Sequence, residues 1–466
     1  MTPRNSTDAT VAQRLAAVIT GRADGGVPPE VRHQAKRLIL NACKGSVSAF
    51  DHPVIRTLLA LEQEAQGSGR LASVLWLQAR LPADAAAFVN AAMLEILDFN
   101  ENHTENGPLH PTAPVLPAVL AEAQQIGAPG AAVLDALAIG VEIELAVASM
   151  LMWSAYQRGF MTGVLVGGVG AAAAVAALHG LSPEQTTNAL GFAMTCALGA
   201  MENFGSAGHA TNTGLACRNG LLAATLARHG LVTAPTAFEG KKGMLSSYSD
   251  EPLDKAEGIV GELEAGSWQR IFEPAFKSLP TETITHAPVE CVLDLVSVLP
   301  ADRRRDVREL RFRLNPLVAE ITADRYAQFG RPISNDLQAK FDQRLCVSAA
   351  WVRGRFTHDE MTQTAYDDQT ILDVRDRVSG IPDPSLRIEQ AMLEAHLADG
   401  TVQTARCSGF RGSPLRPLSD GELADLLRFH AVGRVEPSDL DALIDGVWHL
   451  DELPDMSDLL RRVRAR

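Results

Sequence analysis

Apolar residues recur every three or four positions through most of this chain, which predicts helices as the dominant element. Helices are predicted at about residues 9–25, from Pro28 onward, at 82–98, 117–126, 131–150, 163–181, from Ser182 onward and at 214–229. Before about residue 265 the sequence gives no convincing strand signal. We therefore expect an all-α block, and its alanine and glycine residues should let the helices pack closely.

The pattern changes near residue 266. The segment 307–315 alternates between polar and apolar residues, the segment 385–396 does so less cleanly, and a further strand is predicted in 400–410 after an Asp-Gly turn. Helical stretches are predicted at 334–353, at 370–379 and again from Ser419. We therefore predict a mainly α protein with a large all-α domain, residues 1–266 and 413–466, interrupted by a smaller α+β domain, residues 267–412.

The composition is that of a globular protein with 46% hydrophobic and 21% charged residues, and the net charge is −14. This charge argues against nucleic acid as a partner, since the short basic runs are confined to 303–305 and the tail 461–466. The sequence starts without an apolar signal core, and the Gly/Ala-rich run 163–181 is broken by His179. We expect a packed core helix there and no membrane association.

The six cysteines form no C-x-x-C pair. This favours reduced thiols in a cytoplasmic protein over a disulfide framework or a zinc site.

A polar stretch interrupts the apolar pattern between Leu97 and Ala118. Its polar members are Asp98, Asn100, Glu101, Asn102, His103, Glu105, Asn106 and His110. Burying carboxylates and imidazoles is unfavourable unless they are paired or used. A solvated loop is the plain alternative for each residue, but the whole group favours a functional site.

Three further polar interruptions contain candidate groups: Tyr156 with Arg158, His209, and Lys277 in FKSLPTETITH. Each has an ordinary structural alternative, such as a helix cap, a core tyrosine or a surface lysine. Together with the first stretch they supply acids, bases, anion binders and a carboxylate that can orient a histidine. Those groups suit proton abstraction next to a carboxylate.

Other chemistries find less support in the sequence. It lacks a G-x-S-x-G elbow, a phosphate-binding G-x-x-x-x-G-K-[ST] loop and an H-E-x-x-H pair. A metal site using His103 and His110 with Glu101 and Glu105 fits no common spacing, so no metal is predicted. The helical carboxylates at 142 and 144 are expected to be paired core groups or interface groups.

The chain resembles the MmgE/PrpD family, which includes 2-methylcitrate dehydratase, cis-aconitate decarboxylase and iminodisuccinate epimerase. The resemblance rests on the segments LDF…HPTAPVLPAVLAEA (97–123), GFMTGVLVGGVGAAAAVAALHGLSPEQTTNALGFA (159–193), GLACRNGLLAATLARHGL (214–231), FKSLP…H (276–286), AKF (339–341) and LADG (397–400). It implies a helical domain with an inserted α+β lid domain, a site in the cleft between them, a homodimer and no cofactor.

Carried over position by position, the resemblance assigns site roles to Asp98, His110, Lys277 and His286. Two positions differ from the family pattern, because Met161 replaces a histidine and His209 replaces a lysine. The remaining candidates are Tyr156 as a catalytic group and Arg158, Asn100, His103, Met161 and His286 as substrate-binding groups. A cleft with fewer fixed positive charges should favour a substrate with fewer carboxylates.

The leading hypothesis is a cofactor-independent enzyme that abstracts a proton α to a carboxylate of a small di- or tricarboxylic acid, as a dehydratase or decarboxylase. His110 is the expected acid or base, oriented by Asp98, and Lys277 is the second group. The alternatives are an epimerase acting on an iminodisuccinate-like dicarboxylate, a non-catalytic binding protein on the same fold, and a metal-dependent hydrolase.

Overall fold

The computed structural model describes residues 9–64, 71–104, 109–151, 153–197, 199–305, 307–329, 333–461 and 463–465. The chain divides into two compact units. Unit 1 comprises Met1–Ile96, Asn100–Pro274 and Asp420–Arg466, and unit 2 comprises Leu97–Phe99 and Ala275–Ser419. The sequence prediction placed the domain limits at 266/267 and 412/413, whereas the units divide at 274/275 and 419/420.

Helices dominate the described residues of the chain, as predicted. The elements before residue 275 are α1 (Val11–Gly25), α2 (Pro29–Ala49), α3 (Pro53–Glu64), β1 (Leu71–Ser73), β2 (Arg80–Pro82), α4 (Ala83–Glu95), α5 (Thr112–Ile126), α6 (Gly130–Leu151), α7 (Ser154–Gln157), α8 (Thr162–Leu178), α9 (Pro183–Thr195), α10 (Ala207–Arg228), α11 (Met244–Tyr248) and α12 (Leu253–Glu264). Those of unit 2 are α13 (Thr283–Val298), α14 (Ala301–Arg304), β3 (Val307–Leu314), α15 (Pro316–Phe329), α16 (Asp336–Ala339), α17 (Gln343–Arg353), α18 (Gln363–Tyr366), α19 (Gln369–Arg375), β4 (Val378–Pro382), β5 (Ala391–Leu397) and β6 (Val402–Cys407). The chain then returns to unit 1 with α20 (Asp420–Ala431), α21 (Pro437–Trp448) and α22 (Ser457–Leu460).

The centre of unit 1 is the glycine- and alanine-rich helix α8, which packs against α5, α6, α9 and α10. Glycines make close packing possible. A Cβ on Gly140 of α6 would lie 2.6 Å from the Cβ of Ala174, and one on Gly220 of α10 would lie 2.5 Å from the carbonyl oxygen of Gly168. A helix that is apolar on all sides is expected to be buried, and α8 fits that expectation.

Unit 2 contains a four-stranded sheet in the order β4-β3-β5-β6. β3 pairs parallel with β4 and antiparallel with β5, and β5 pairs antiparallel with β6. Buried and half-buried residues alternate strictly along β5, which is the pattern of a sheet with one face on a core. α13 packs against β5, β6 and α17, so the core of unit 2 lies between the sheet and these helices.

Two predictions about strands were wrong. β1 and β2 form an antiparallel pair before residue 265, and each spans three residues, too few for a period of two to be visible. The end of the predicted helix 370–379 is a strand, because α19 ends at Arg375 and Ser379 belongs to β4, where it pairs with Arg311 of β3.

Two predicted helices begin earlier than the sequence indicated. α5 begins at Thr112 and contains Pro117 in its interior. α10 begins at Ala207, so His209 lies in its first turn. The prolines in the first turns of α5 and the glycine at the start of α10 also suit loops, which concealed the helix starts.

All six cysteines are free thiols. Among the described residues, no helix combines the length and the apolar character needed to cross a membrane.

Candidate functional site

A buried carboxylate at the end of α4 gathers two histidines of unit 1. The Glu95 Oε1 atom lies 3.1 Å from Nε2 of His209 and 3.7 Å from Nε2 of His110. The side chain of Glu95 is 2% exposed, against 7% for His209 and 11% for His110. We call Glu95, Glu101, His110 and His209 the Glu95 cluster. A buried carboxylate stabilises a nearby imidazolium, so this arrangement suits proton transfer.

The backbone of Glu101 fixes the ring of His110. Nδ1 of His110 lies 2.6 Å from the carbonyl oxygen of Glu101, and because a carbonyl only accepts, Nδ1 carries the proton and donates it. Nε2 of His110 is then the nitrogen that takes up or gives a proton, and it faces Glu95. The expectation that Asp98 orients His110 stays a prediction.

The side chain of Glu101 holds the start of α5. Its Oε1 accepts the backbone N–H of Thr112 at 2.7 Å, and its Oε2 accepts from Nδ2 of Asn41 on α2 at 2.9 Å. The N-cap residue Pro111 makes no side-chain capping bond. Glu101 therefore satisfies an amide that a helix start leaves open, and it fixes the chain that carries His110.

His209 is held from two sides. Its ring stacks on Phe204 with centroids 4.5 Å apart, and its Nε2 lies 3.1 Å from the Glu95 carboxylate. Asn100 donates from Nδ2 to the other oxygen of Glu95 at 3.1 Å. Asn100 thus positions the carboxylate that the two histidines share.

A third buried glutamate of unit 1 has an unusual environment. Glu144 on α6 is fully buried, and neither of its carboxylate oxygens has a hydrogen-bond partner among the described residues. Burial raises its pKa well above the ordinary value, and the negative charges of Glu101 and Glu95 raise it further. Of the two expectations for Glu144, a paired core carboxylate is not found among the described residues, and an interface group stays a prediction. The expectation of a paired carboxylate holds for Glu142, whose carboxylate accepts the backbone N–H of Ile271 at 2.8 Å.

Unit 2 contains the predicted pair Asp98 and Lys277. Nζ of Lys277 lies 2.9 Å from Oδ2 of Asp98 and donates to the Asp98 carbonyl oxygen at 2.7 Å. Lys277 is fully buried, and Asp98 adopts a left-handed backbone with φ of 52°. Such a backbone is uncommon for a residue other than glycine, and the double contact with one ammonium holds it.

The described contacts of the remaining predicted residues involve neither the Glu95 cluster nor the Asp98–Lys277 pair. Arg158 is exposed, donates to the carbonyl oxygen of Ser247 at 2.7 Å and pairs with Asp250. This pairing engages the guanidinium with protein groups, so the structure gives the predicted anion-binding role no support. The half-buried Tyr156 packs edge-on against Trp153.

The other three candidates are buried. His103 lies 2.8 Å from Glu273 through Nε2, and this hydrogen bond lowers the pKa of the Glu273 carboxyl. Met161 is the N-cap of α8, and its sulfur accepts from Asn212. His286 stacks on Phe410 in unit 2. Glu105 and Asn106, which belong to the predicted polar stretch, lie outside the described residues.

Sequence reasoning missed Glu95. It was included in the helix 82–98 as part of an apolar segment, and it lies three residues before Asp98. The available signal was that Glu95 is the single charged residue within the apolar segment AAMLEIL. A carboxylate buried in a core helix needs a partner, so this position indicated a contact with another polar group.

Comparison with known proteins gives matches along most of the chain. The MmgE/PrpD N-terminal domain matches residues 13–256, and the MmgE/PrpD C-terminal domain matches residues 279–451. The chain is 25% identical to the cis-aconitate decarboxylase of Homo sapiens, with 97% of this chain and 94% of the human protein aligned.

Two fungal relatives have similar sequence identities but differ in how much of the chain is aligned. The chain is 26% identical to the cis-aconitate decarboxylase-like protein oryM of Aspergillus oryzae, over 99% of this chain and 98% of that protein. It is 29% identical to the cis-aconitate decarboxylase of Aspergillus terreus, over 60% of this chain and 58% of that protein. Since the two domain models together span most of its length, this chain belongs to the MmgE/PrpD family.

Proposed function

We propose that this protein is a cofactor-independent lyase that acts on a small di- or tricarboxylic acid through proton transfer at the carbon α to a carboxylate. The observation that carries the proposal is the buried carboxylate of Glu95 between the imidazoles of His110 and His209. Family membership supports it, because the curated relatives aligned over nearly the whole chain are named as cis-aconitate decarboxylases or as similar to one.

Proton transfer is assigned to His110. Its Nδ1–H is held by the Glu101 carbonyl, so Nε2 exchanges the proton with the substrate carbon. In an elimination, Nε2 takes the proton, the electron pair forms the double bond and the leaving group departs from the adjacent carbon. In a decarboxylation, the bond to the carboxylate carbon breaks, CO2 leaves, and the imidazolium delivers a proton to the resulting carbanion.

Glu95 and His209 support this transfer. The carboxylate stabilises whichever imidazole is protonated, and desolvation strengthens that effect because water no longer screens the charges. Asn100 keeps the carboxylate in place through its hydrogen bond. We expect Glu95 to matter for catalysis although it need not touch the substrate.

Lys277 is the proposed carboxylate-binding group. It is the lysine of the K-x-x-P motif, and Asp98 holds its ammonium by two contacts. The Asp98 carboxylate already balances the ammonium charge, so this role rests on the K-x-x-P motif of the family resemblance, and the two contacts fix only the position of Nζ. The substrate-binding roles of His103, Met161 and His286 remain proposals that rest on the family resemblance.

We further propose a preference for dicarboxylates over tricarboxylates. At residue 209 the family pattern has a lysine, and this chain has a histidine bonded to Glu95. An ammonium at this place would stay charged near neutral pH, whereas an imidazole beside the same carboxylate can also be neutral. An additional carboxylate on the substrate would therefore be balanced by less positive charge in this protein.

The test is a panel of di- and tricarboxylic acids, including cis-aconitate and 2-methylcitrate, incubated with the enzyme in heavy water and followed by proton NMR. A lyase gives an unsaturated or decarboxylated product. Deuterium entering recovered substrate with inversion, without such a product, would instead identify an epimerase. Binding without turnover of any panel member would favour a binding protein.

The matched variants are His110→Ala and Lys277→Ala. Each is expected to lower kcat/KM by at least about 100-fold, the scale of general acid–base catalysis. If both variants turn over the true substrate within a few-fold of wild type, the assignment of these residues is wrong.

A further inference from the structure

A cavity of about 370 Å³ lies in unit 1 where the C-terminal tail packs against the β1–β2 pair. Its volume is within the range of small-ligand pockets. Its polar lining includes the side chains of Ser73, Arg80, Gln124, Ser457, Arg461 and Arg464. No aspartate or glutamate is among its lining residues. In a chain of net charge −14, this is a concentration of positive charge.

The charges of this cavity are incompletely neutralised. Arg461 pairs with Asp458. Arg80 donates to the carbonyl oxygen of Leu71, a neutral group, and neither Arg80 nor Arg464 pairs with a carboxylate in the described parts of the chain. Two guanidinium groups without acidic partners, facing one cavity, favour an anion there.

The backbone that frames the cavity is fixed rather than loose. Trp76 adopts a left-handed backbone with φ of 66°, and its indole N–H donates to Oγ of Ser46 at 2.8 Å. The backbone N–H of Ala465 donates to the carbonyl oxygen of Trp76 at 2.8 Å, and Trp76 and Arg464 form a parallel bridge. The tail that carries the arginines is thereby attached to a buried anchor, and a strained residue held this way is frequent next to binding sites.

The cavity is separate from the Glu95 cluster. Gln124, which lines the cavity, and Thr112, whose amide binds Glu101, lie near opposite ends of α5. At a rise of 1.5 Å per residue they are about 18 Å apart. A ligand in the cavity therefore does not occupy the place of a substrate beside His110.

We propose that this cavity binds a small polyanion carrying two or more phosphate or carboxylate groups. Arginine suits both chemistries because its planar fork matches the oxygens of either group. Two arginines without carboxylate partners that line one cavity favour a ligand with more than one negative charge over a single carboxylate.

The experiment measures binding to the full chain by isothermal titration calorimetry at constant ionic strength. The probes are pyrophosphate for the phosphate source, tricarballylate for the carboxylate source, and sodium chloride as the blank. The test variant is Arg80→Gln/Arg464→Gln. Arg56→Gln is the single-charge control, because Arg56 is exposed on α3 and does not line the cavity.

We expect at least one probe to bind wild type and Arg56→Gln alike, and the double glutamine variant to bind it at least tenfold more weakly. Arg80→Lys/Arg464→Lys should retain part of the affinity, because it keeps the charge and loses the fork. The probe that binds more tightly identifies the source.

Two results would overturn the proposal. One is that neither polyanion binds wild type more than chloride does. The other is that the double glutamine variant, with an unchanged melting temperature in chloride, binds within twofold of Arg56→Gln. The second result would place the bound anion elsewhere, for example at the catalytic groups.

Discussion

At the residue scale, Glu144 is the group whose surroundings are hardest to reconcile with a charge. It is fully buried on α6, its oxygens have no hydrogen-bond partner among the described residues, and Glu95 and Glu101 add negative charge nearby. A neutral carboxyl is the form that this environment accepts. Keeping Glu144 protonated limits the negative charge around the two histidines.

The raised pKa of Glu144 makes stability depend on pH. At low pH the carboxyl is protonated in both the folded and the unfolded chain. As pH rises through the ordinary glutamate pKa, about 4.3, only the unfolded chain ionises, so the folded state loses relative stability until its own raised pKa is reached.

Glu144→Gln removes this ionisation while keeping the shape of the side chain. We expect its melting temperature to exceed that of wild type by a margin that grows by at least about 3 °C between pH 5 and pH 8. With an unfolding entropy of about 2.1 cal/mol/K per residue, about 2 kcal/mol corresponds to roughly 3 °C in a unit of about 320 residues. Glu30→Gln, at an exposed position, is the control and should show a constant difference. A margin for Glu144→Gln that does not change with pH would contradict a neutral Glu144.

His209 is the residue where a charge change should alter ligand preference. His209→Lys adds a permanent cation beside Glu95. We expect the ratio of the affinities for tricarballylate and succinate, measured as competitive inhibition constants against the substrate, to rise about tenfold, equal to about 1.4 kcal/mol. His229→Lys adds the same charge at the exposed C-terminal end of α10 and should leave the ratio unchanged. An equal ratio in both variants would mean that residue 209 does not set carboxylate preference.

At the scale of elements, the close crossing of α6 and α8 positions Glu144 and packs the centre of unit 1. A Cβ on Gly140 would lie 2.6 Å from the Cβ of Ala174 and 2.8 Å from the carbonyl oxygen of Gly170. One on Gly170 would lie 2.7 Å from Oε2 of Glu144. The glycines are therefore required by the distance between the helices.

Gly140→Ala is expected to destabilise unit 1 by about 1–3 kcal/mol through overpacking. The matched control is Gly21→Ala in α1, where an added Cβ has no atom within 4 Å. That substitution should be neutral or stabilise by about 0.5–1 kcal/mol, since alanine favours helix. Urea unfolding followed by circular dichroism measures both. Equal effects of the two substitutions would show that the helices can separate without cost.

Helix identity was largely predictable from the sequence, and helix starts were less so. Ser182 caps α9 through a capping box, as its sequence SPEQ indicates. The start of α5 is stabilised by Glu101, which lies eleven residues earlier in the chain. A local pattern cannot reveal a cap supplied by a distant side chain, and the same limit concealed the three-residue strands β1 and β2.

At the scale of the whole molecule, the sequence indicated the polar stretch that carries His110 but did not single out Glu95, whose carboxylate lies 3.7 Å from Nε2 of His110. The expectation that Asp98 orients His110 stays a prediction. His209 and Glu95 lie far apart in the chain and meet only through the packing of α10 on α4. Spacing along a sequence contains no information on such a contact.

The homodimer and the cytoplasmic location remain predictions from the sequence and the family resemblance. Family membership does fix which chemistry to test first, since the relatives aligned over most of this chain carry the name of a decarboxylase. The proposed function assigns the proton transfer to the Glu95 cluster, which brings together carboxylates, two imidazoles and a backbone carbonyl.

The most direct test compares two buried glutamate–histidine pairs of unit 1. Glu122 lies 2.7 Å from His179, outside the Glu95 cluster. With the substrate found in the acid panel, kcat/KM is measured for Glu95→Gln and Glu122→Gln, with melting temperatures as the folding control. We predict a loss of at least about 100-fold for Glu95→Gln and activity close to wild type for Glu122→Gln. A folded Glu95→Gln variant with activity equal to that of Glu122→Gln would contradict the central claim that Glu95 supports proton transfer.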